Sequence, residues 1–123
     1  MAVVDDLIVA AKQLSNSCNK SIKKIERETI VAHATNPLDY AWPHHEQYLT
    51  NWGGLGAKTL LLGMNPGPWG MAQSGVPFGS TEVAKSKLKI KPCQLTTPSN
   101  AHPKRPIIGL DLERQEISGQ RLW

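Results

Sequence analysis

The sequence predicts an α/β fold, and three features carry that reading. An N-terminal stretch repeats its apolar residues at helical spacing. A short continuous apolar run, Thr59-Leu60-Leu61-Leu62, lies between glycines as a strand buried on both faces of a parallel or mixed sheet would. A long glycine- and proline-rich loop then leaves that run, at the place where open α/β sheets form their ligand crevices. With 123 residues and 40% hydrophobic content, the chain can build one modest core, so one compact domain or part of one is expected. No apolar run approaches the roughly 18 residues needed to cross a bilayer. Asp5 and Asp6 stand where a secretory leader would carry basic residues, so neither membrane nor secretion is expected.

From Val4 to Ile25 the residues Val4, Leu7, Ile8, Ala11, Leu14, Cys18, Ile22 and Ile25 recur at intervals of three and four, which predicts an amphipathic helix with a break near Ser15-Asn16-Ser17. Lys12, Lys20, Lys23 and Lys24 form its solvated face. This helix region, residues 1–28, is set apart from a domain covering 29–123. Thr29-Ile30-Val31-Ala32-His33 reads as a short strand, and Asn36-Pro37 as an N-cap followed by proline at the first helical position. Tyr40, Trp42, Tyr48, Leu49 and Trp52 are core and seam candidates around a helix that Pro43 confines to a start near that point. Adjacent His44 and His45 face different sides of any regular element and are expected at the surface; His33 is expected to be structural.

Residues 63–80 hold five of the ten glycines and three of the nine prolines, a density no regular element survives. Ser80 is placed to cap a helix through Val83 and Ala84 that turns extended near Leu88. A polar, proline-punctuated connection from Pro92 to Pro106 contains His102-Pro103-Lys104-Arg105-Pro106 and enters a further strand candidate, Ile107-Ile108-Gly109-Leu110. The last residues to Trp123 carry no stop signal, as if an element continued.

Fourteen Lys and Arg against ten Asp and Glu leave a net charge of +4, compatible with a polyanionic partner. Cys18 and Cys93 form no Cys-x-x-Cys pair, so reduced thiols are expected rather than a zinc site or a disulfide framework. Gly56-Ala57-Lys58-Thr59 lacks the glycine directly before lysine that a phosphate-binding loop needs, and Gly67-x-x-Gly70 lacks the first glycine of a dinucleotide fingerprint. The loop at 63–80 is the leading site candidate. Its glycines allow close backbone approach, Pro66 and Pro68 stiffen it, Asn65 offers an acceptor and two donors, and Trp69 and Phe78 offer flat faces. Plugging the end of a sheet is the competing use of those apolar side chains.

Gly63-Met64-Asn65-Pro66-Gly67-Pro68-Trp69-Gly70-Met71-Ala72-Gln73 followed by Gly75-Val76-Pro77-Phe78-Gly79 resembles the first active-site motif of the single-strand-selective monofunctional uracil-DNA glycosylases. The resemblance extends to Asn36-Pro37, Tyr40-Ala41-Trp42, His102 to Pro106, Ser118-Gly119, Arg121 and Trp123, covering about residues 29–123 as the N-terminal portion of such a domain. It implies a three-layer fold with a central, mainly parallel sheet flanked by helices, here incomplete. It also implies hydrolysis of the bond joining uracil, or a 5-substituted uracil such as 5-hydroxymethyluracil, to deoxyribose in single- and double-stranded DNA. By position, Asn65 matches the asparagine that holds the attacking water and Phe78 the aromatic on which the flipped base stacks; Met64 and Gly67 match loop positions facing the base. Lys104 and Arg105 are expected to steer phosphates. No metal and no organic cofactor is implied, and the expected partner is DNA containing uracil or oxidised 5-substituted uracil. A monomer is expected, nuclear in a eukaryote and cytoplasmic otherwise. Two departures stand out: Ser80 replaces the family's acidic residue after Pro-Phe-Gly, and the family's later His-Pro-Ser-Pro motif does not occur in the 123 residues. The alternative is therefore a truncated, inactive fragment that binds DNA or another protein.

Overall fold

The structure, a computed structural model, describes residues 2–123. Every regular element among them is helical. Six α-helices occur in order: α1 (Val3–Glu28), α2 (Pro37–Tyr40), α3 (Trp42–Trp52), α4 (Met71–Ser74), α5 (Thr81–Ser86) and α6 (Ile117–Leu122), with a single 3-10 turn at Gly109–Asp111. No described helix is long and apolar enough to cross a membrane.

Helix α1 runs unbroken through Ser15-Asn16-Ser17, with Asp5 and Asp6 in its first turn and Arg27 in its last, each sign suited to the helix dipole. Ser15 is its one buried residue because Asn36 reaches it. The Asn36 amide donates to the Ser15 carbonyl (3.0 Å), to Ser15 Oγ (3.1 Å) and to Asn19 Oδ1 (3.1 Å), while Asn36 Oδ1 accepts from Leu38 N–H. One side chain thus caps α2, as its sequence position predicts, and fastens α2 to α1. Lys12 lies over the Trp42 ring, 5.4 Å from its centroid, adding an α1–α3 contact.

The apolar core packs against α3 through Tyr48. Val76, Val83, Ala84, Leu88, Ile90 and Leu110 are buried together there. Helix α5 ends at Ser86, two residues short of Leu88, and the chain leaves it through Lys89 at φ 57°.

The central sheet is contradicted: among the described residues no strand forms, so neither the α/β class nor the three-layer arrangement holds. Each strand candidate loses its ladder for a separate reason. Helix α1 runs three residues past Ile25, and Thr29 becomes its cap, its hydroxyl donating to Ile25 O (2.6 Å) and accepting from Val31 N–H (3.1 Å). Thr59–Leu62 forms no regular element and finds no backbone partner, and its leucines face solvent, Leu60 85% and Leu62 87% exposed. In Ile107–Leu110, Gly109 turns to φ 81° and the Ile108 and Gly109 amides both donate to Gln73 Oε1, at 2.7 and 3.2 Å, where a sheet partner would have stood. Side-chain amides do the work of a ladder elsewhere too: Gln47 brackets Lys91, accepting from its N–H (2.8 Å) and donating to its carbonyl (2.9 Å).

His44 and His45 are buried, against the surface placement expected of them. His44 Nδ1 bonds the Ser74 carbonyl (3.1 Å) and Nε2 accepts from Cys93 N–H (2.9 Å), while His45 Nδ1 bonds the Gly75 carbonyl (2.9 Å). Their use is to tie α3 to the end of α4. A ring that accepts at Nε2 is neutral, and burial holds both imidazoles below the ordinary histidine range, outweighing the backbone carbonyls that favour the charged form.

Candidate active site

The glycine- and proline-rich loop wraps α4, and buried polar side chains fix its shape. Gln73, almost wholly buried, donates to the Pro106 carbonyl (2.9 Å) and the Pro68 carbonyl (3.4 Å) while accepting from Ile108 and Gly109. Its four bonds set the loop against the 106–109 segment. Tyr40 donates from its hydroxyl to the Ala72 carbonyl, and burial pushes its phenol up to about 12 against a smaller opposing effect of the Thr35 side chain.

Phe78 is held in a backbone conformation that side chains avoid. Gly79 N–H returns to the Val76 carbonyl (2.9 Å), making a β-turn with Pro77 at its second position. Phe78, at φ 53°, takes the third, where a turn of this hand favours glycine. Ser74 reinforces the turn, its hydroxyl donating to Gly79 O (2.7 Å) and accepting from Val76 N–H (3.1 Å). Gly119 presses on it from outside: a Cβ there would stand 2.6 Å from Phe78 O and 2.8 Å from Ser80 N. The Phe78 ring consequently lies against Gly63, close enough that a Cβ on Gly63 would touch it at 3.4 Å.

Met64, Asn65, Gly67 and Phe78 all line one open cleft of about 950 Å³, bounded by Leu60 to Gly63 on one side and by Cys18 and Ile22 of α1 on another. Met64 is fully exposed, and Asn65 Nδ2 donates to the neighbouring Pro66 carbonyl (3.2 Å). Lys104 and Arg105 are not in this cleft. They sit in the His102–Arg105 turn, closed by Arg105 N–H to His102 O (2.9 Å), with Lys104 exposed and Arg105 lying over the Trp69 ring.

Ser80 sits at the N-cap position of α5 without a capping bond, and its buried hydroxyl has no partner among the described residues. The cap is supplied from a distance. Gln115 Oε1 accepts from Glu82 N–H (3.0 Å), while its amide donates to Thr81 Oγ1 (2.9 Å). A second residue missed in the sequence is Glu116, whose carboxylate fills the notch left by Gly67 and Gly70; a Cβ would fall 1.8 Å from its oxygens at the first and 1.9 Å at the second. The glycine pair was the available signal, since two glycines three apart on a rigid loop mark a close approach, here by an acidic side chain rather than a ligand.

No family model matches the chain. It is similar to the single-strand selective monofunctional uracil DNA glycosylase of Bos taurus, 41% identical over 105 residues, which is 85% of this chain and 38% of that protein. The Mus musculus and Rattus norvegicus proteins of the same name are each 43% identical over 105 residues, 85% of this chain and 37% of theirs. Over that stretch the chain is a homologue of these glycosylases. It spans well under half the length of each. The helical architecture described above is what this chain itself builds.

Proposed function

We propose that this chain carries the water-positioning and base-stacking elements of a DNA glycosylase of base excision repair, which hydrolyses the N-glycosidic bond of uracil. The observation that carries the reading is the convergence of Asn65, Met64, Gly67 and Phe78 on one cleft, in a chain 41–43% identical to enzymes of that name. Breaking the glycosidic bond builds positive charge on the sugar, so a positioned water and an apolar base pocket serve without a covalent intermediate. Asn65 Oδ1 is the acceptor for that water. Phe78 supplies the face on which an extruded base stacks, and its strained turn fixes the ring before a base arrives. Met64 and Gly67 border the base. The Glu116 carboxylate fills the notch at Gly67, so a polar 5-substituent such as hydroxymethyl on that edge of the base would meet this carboxylate. Lys104 and Arg105 attract the phosphates. On this reading the protein acts on genomic DNA, in the nucleus of a eukaryote and in the cytoplasm otherwise, working as a monomer at low concentration.

A chimera in which this chain's matched stretch replaces that of the bovine relative tests the assignment. It should excise uracil from single-stranded DNA, scored by alkaline cleavage at abasic sites, and Asn65→Ala should lower single-turnover excision by about two orders of magnitude while leaving DNA binding in place. A folded chimera indifferent to Asn65→Ala overturns the water-positioning role. Gly67→Tyr should depress excision of 5-hydroxymethyluracil more than that of uracil in otherwise identical strands; an unchanged ratio removes Gly67 from base selection.

A further inference from the structure

The Trp69 indole carries two guanidinium groups. Arg114 Cζ lies 4.4 Å and Arg105 Cζ 5.0 Å from the ring centroid, both within cation–π range. Two cations drawn to one ring repel each other, and a purely structural cluster of this kind ordinarily includes a carboxylate. No carboxylate pairs with either guanidinium within 4.0 Å: the one such ion pair among the described residues is Arg27–Glu28, in another part of the molecule, and the nearby Glu116 carboxylate is taken up in the Gly67–Gly70 notch. Both guanidiniums are exposed, while Trp69 is half-buried and anchored in the loop that carries Asn65.

A second observation lies next to the first. Arg105 also lines a pocket of about 220 Å³, together with His33, His102, Thr35 and the prolines Pro66 and Pro68. The two imidazoles stand edge to face, 4.7 Å apart, and each is oriented through Nδ1: His33 by the Asn100 carbonyl (2.8 Å), His102 by Lys104 N–H (3.0 Å). Thr35 and Pro66 line both this pocket and the larger cleft, so the two adjoin.

We propose that Trp69, Arg105 and Arg114 form a phosphodiester clamp that grips the backbone of the strand whose base enters the cleft. Planar guanidinium forks that stack on an indole face and keep their N–H edges outward suit the paired oxygens of a phosphodiester, and the ring holds them in place without neutralising them. The identity of the strand as DNA rests on the glycosylase reading; the anion preference does not. Arg114 is the new element, since it lies outside the motif and reaches the loop only through the fold.

The test uses the full 123-residue chain and a labelled, uracil-free single-stranded oligodeoxynucleotide, with binding followed by anisotropy across a series of NaCl concentrations. Arg105→Gln and Arg114→Gln should each reduce the slope of log K against log salt by about 0.7, the value of one single-strand phosphate contact. Arg114→Lys should keep the slope, and Lys20→Gln on the exposed face of α1 should leave it unchanged. Slopes for both glutamine variants equal to wild type overturn the clamp. Inorganic phosphate that displaces the strand at constant ionic strength reassigns the site to the free anion and overturns it as well. Because the probe contains no uracil, failure here leaves the Asn65 experiment standing, and failure there leaves the clamp standing.

Discussion

Phe78 holds a backbone angle that costs an L residue roughly 1–2 kcal/mol, and the turn around it supplies the compensation. Two substitutions separate the angle from the ring. In the chimera, Phe78→Ala should weaken capture of the extruded base by about 1–3 kcal/mol, the usual worth of an aromatic platform. Phe78→Gly should weaken capture equally but melt higher than Phe78→Ala, because glycine accepts φ 53° without strain. Equal melting temperatures for the two would show that the angle carries no strain. His44 and His45 make a different residue-scale prediction. Their folded-state values lie below the unfolded one, so the stability they contribute is complete above about pH 6.5 and is lost as pH falls below it. The melting temperature should drop from pH 7 to pH 5, and His44→Gln, which can still donate to Ser74 O and accept from Cys93 N–H, should flatten that drop.

Among the elements, α2 is four residues long and depends on its cap. Asn36→Ala removes the bond to Leu38 N–H and leaves the buried Ser15 carbonyl and hydroxyl without their donor, so it should cost about 2 kcal/mol in denaturant unfolding. This element was legible in the sequence, because Asn-Pro states both its cap and its first helical residue. The 63–80 loop was legible for a similar reason, since glycine and proline act locally and need no partner. Strands were not. Apolar, β-branched runs at 29–33, 59–62 and 107–110 report a local preference, whereas a strand exists only when a second extended segment supplies its hydrogen bonds. Here Thr29 and the side chain of Gln73 reach the backbone groups first. Helix α6 shows the same limit from the other side: Gly119→Ala looks favourable for a helix, yet its Cβ would meet Phe78 O at 2.6 Å. In the chimera it should lower excision through a displaced Phe78, and a wild-type rate would show that the contact yields without consequence.

At the scale of the whole molecule, the exposed Leu60-Leu61-Leu62 run is the outstanding feature. It is apolar, exposed and without backbone partners, and such a segment templates pairing with another chain. The 123-residue chain should therefore self-associate as its concentration rises in sedimentation, and Leu61→Lys should suppress this without lowering the melting temperature. Apolar character at 60–62 was readable from sequence; which side of the molecule it would face was not, because that depends on α1 and the loop meeting around the cleft. The polar interior was equally hidden. His44, Gln73 and Thr81 look like surface residues by type, and each is buried because distant backbone groups match it, among them Cys93 N–H, Pro106 O and Leu112 O.

Gln73 joins the Asn65 loop to the segment after the Arg105 turn through an amide that donates on one side and accepts on the other. Gln73→Glu keeps the shape and removes the donor, setting a carboxylate against the Pro68 and Pro106 carbonyls. Only the protonated acid can mend that joint. Its pKa would rise above the unfolded glutamate value, so the repair is complete at low pH and lost as pH climbs through the raised value. The variant would thus carry a latch operated by acid, its melting temperature gaining on wild type as pH falls, opposite in sign to the histidines bonded to the Ser74 and Gly75 carbonyls. A single exchange of nitrogen for oxygen would convert a passive seam between two loops into a proton-driven clasp.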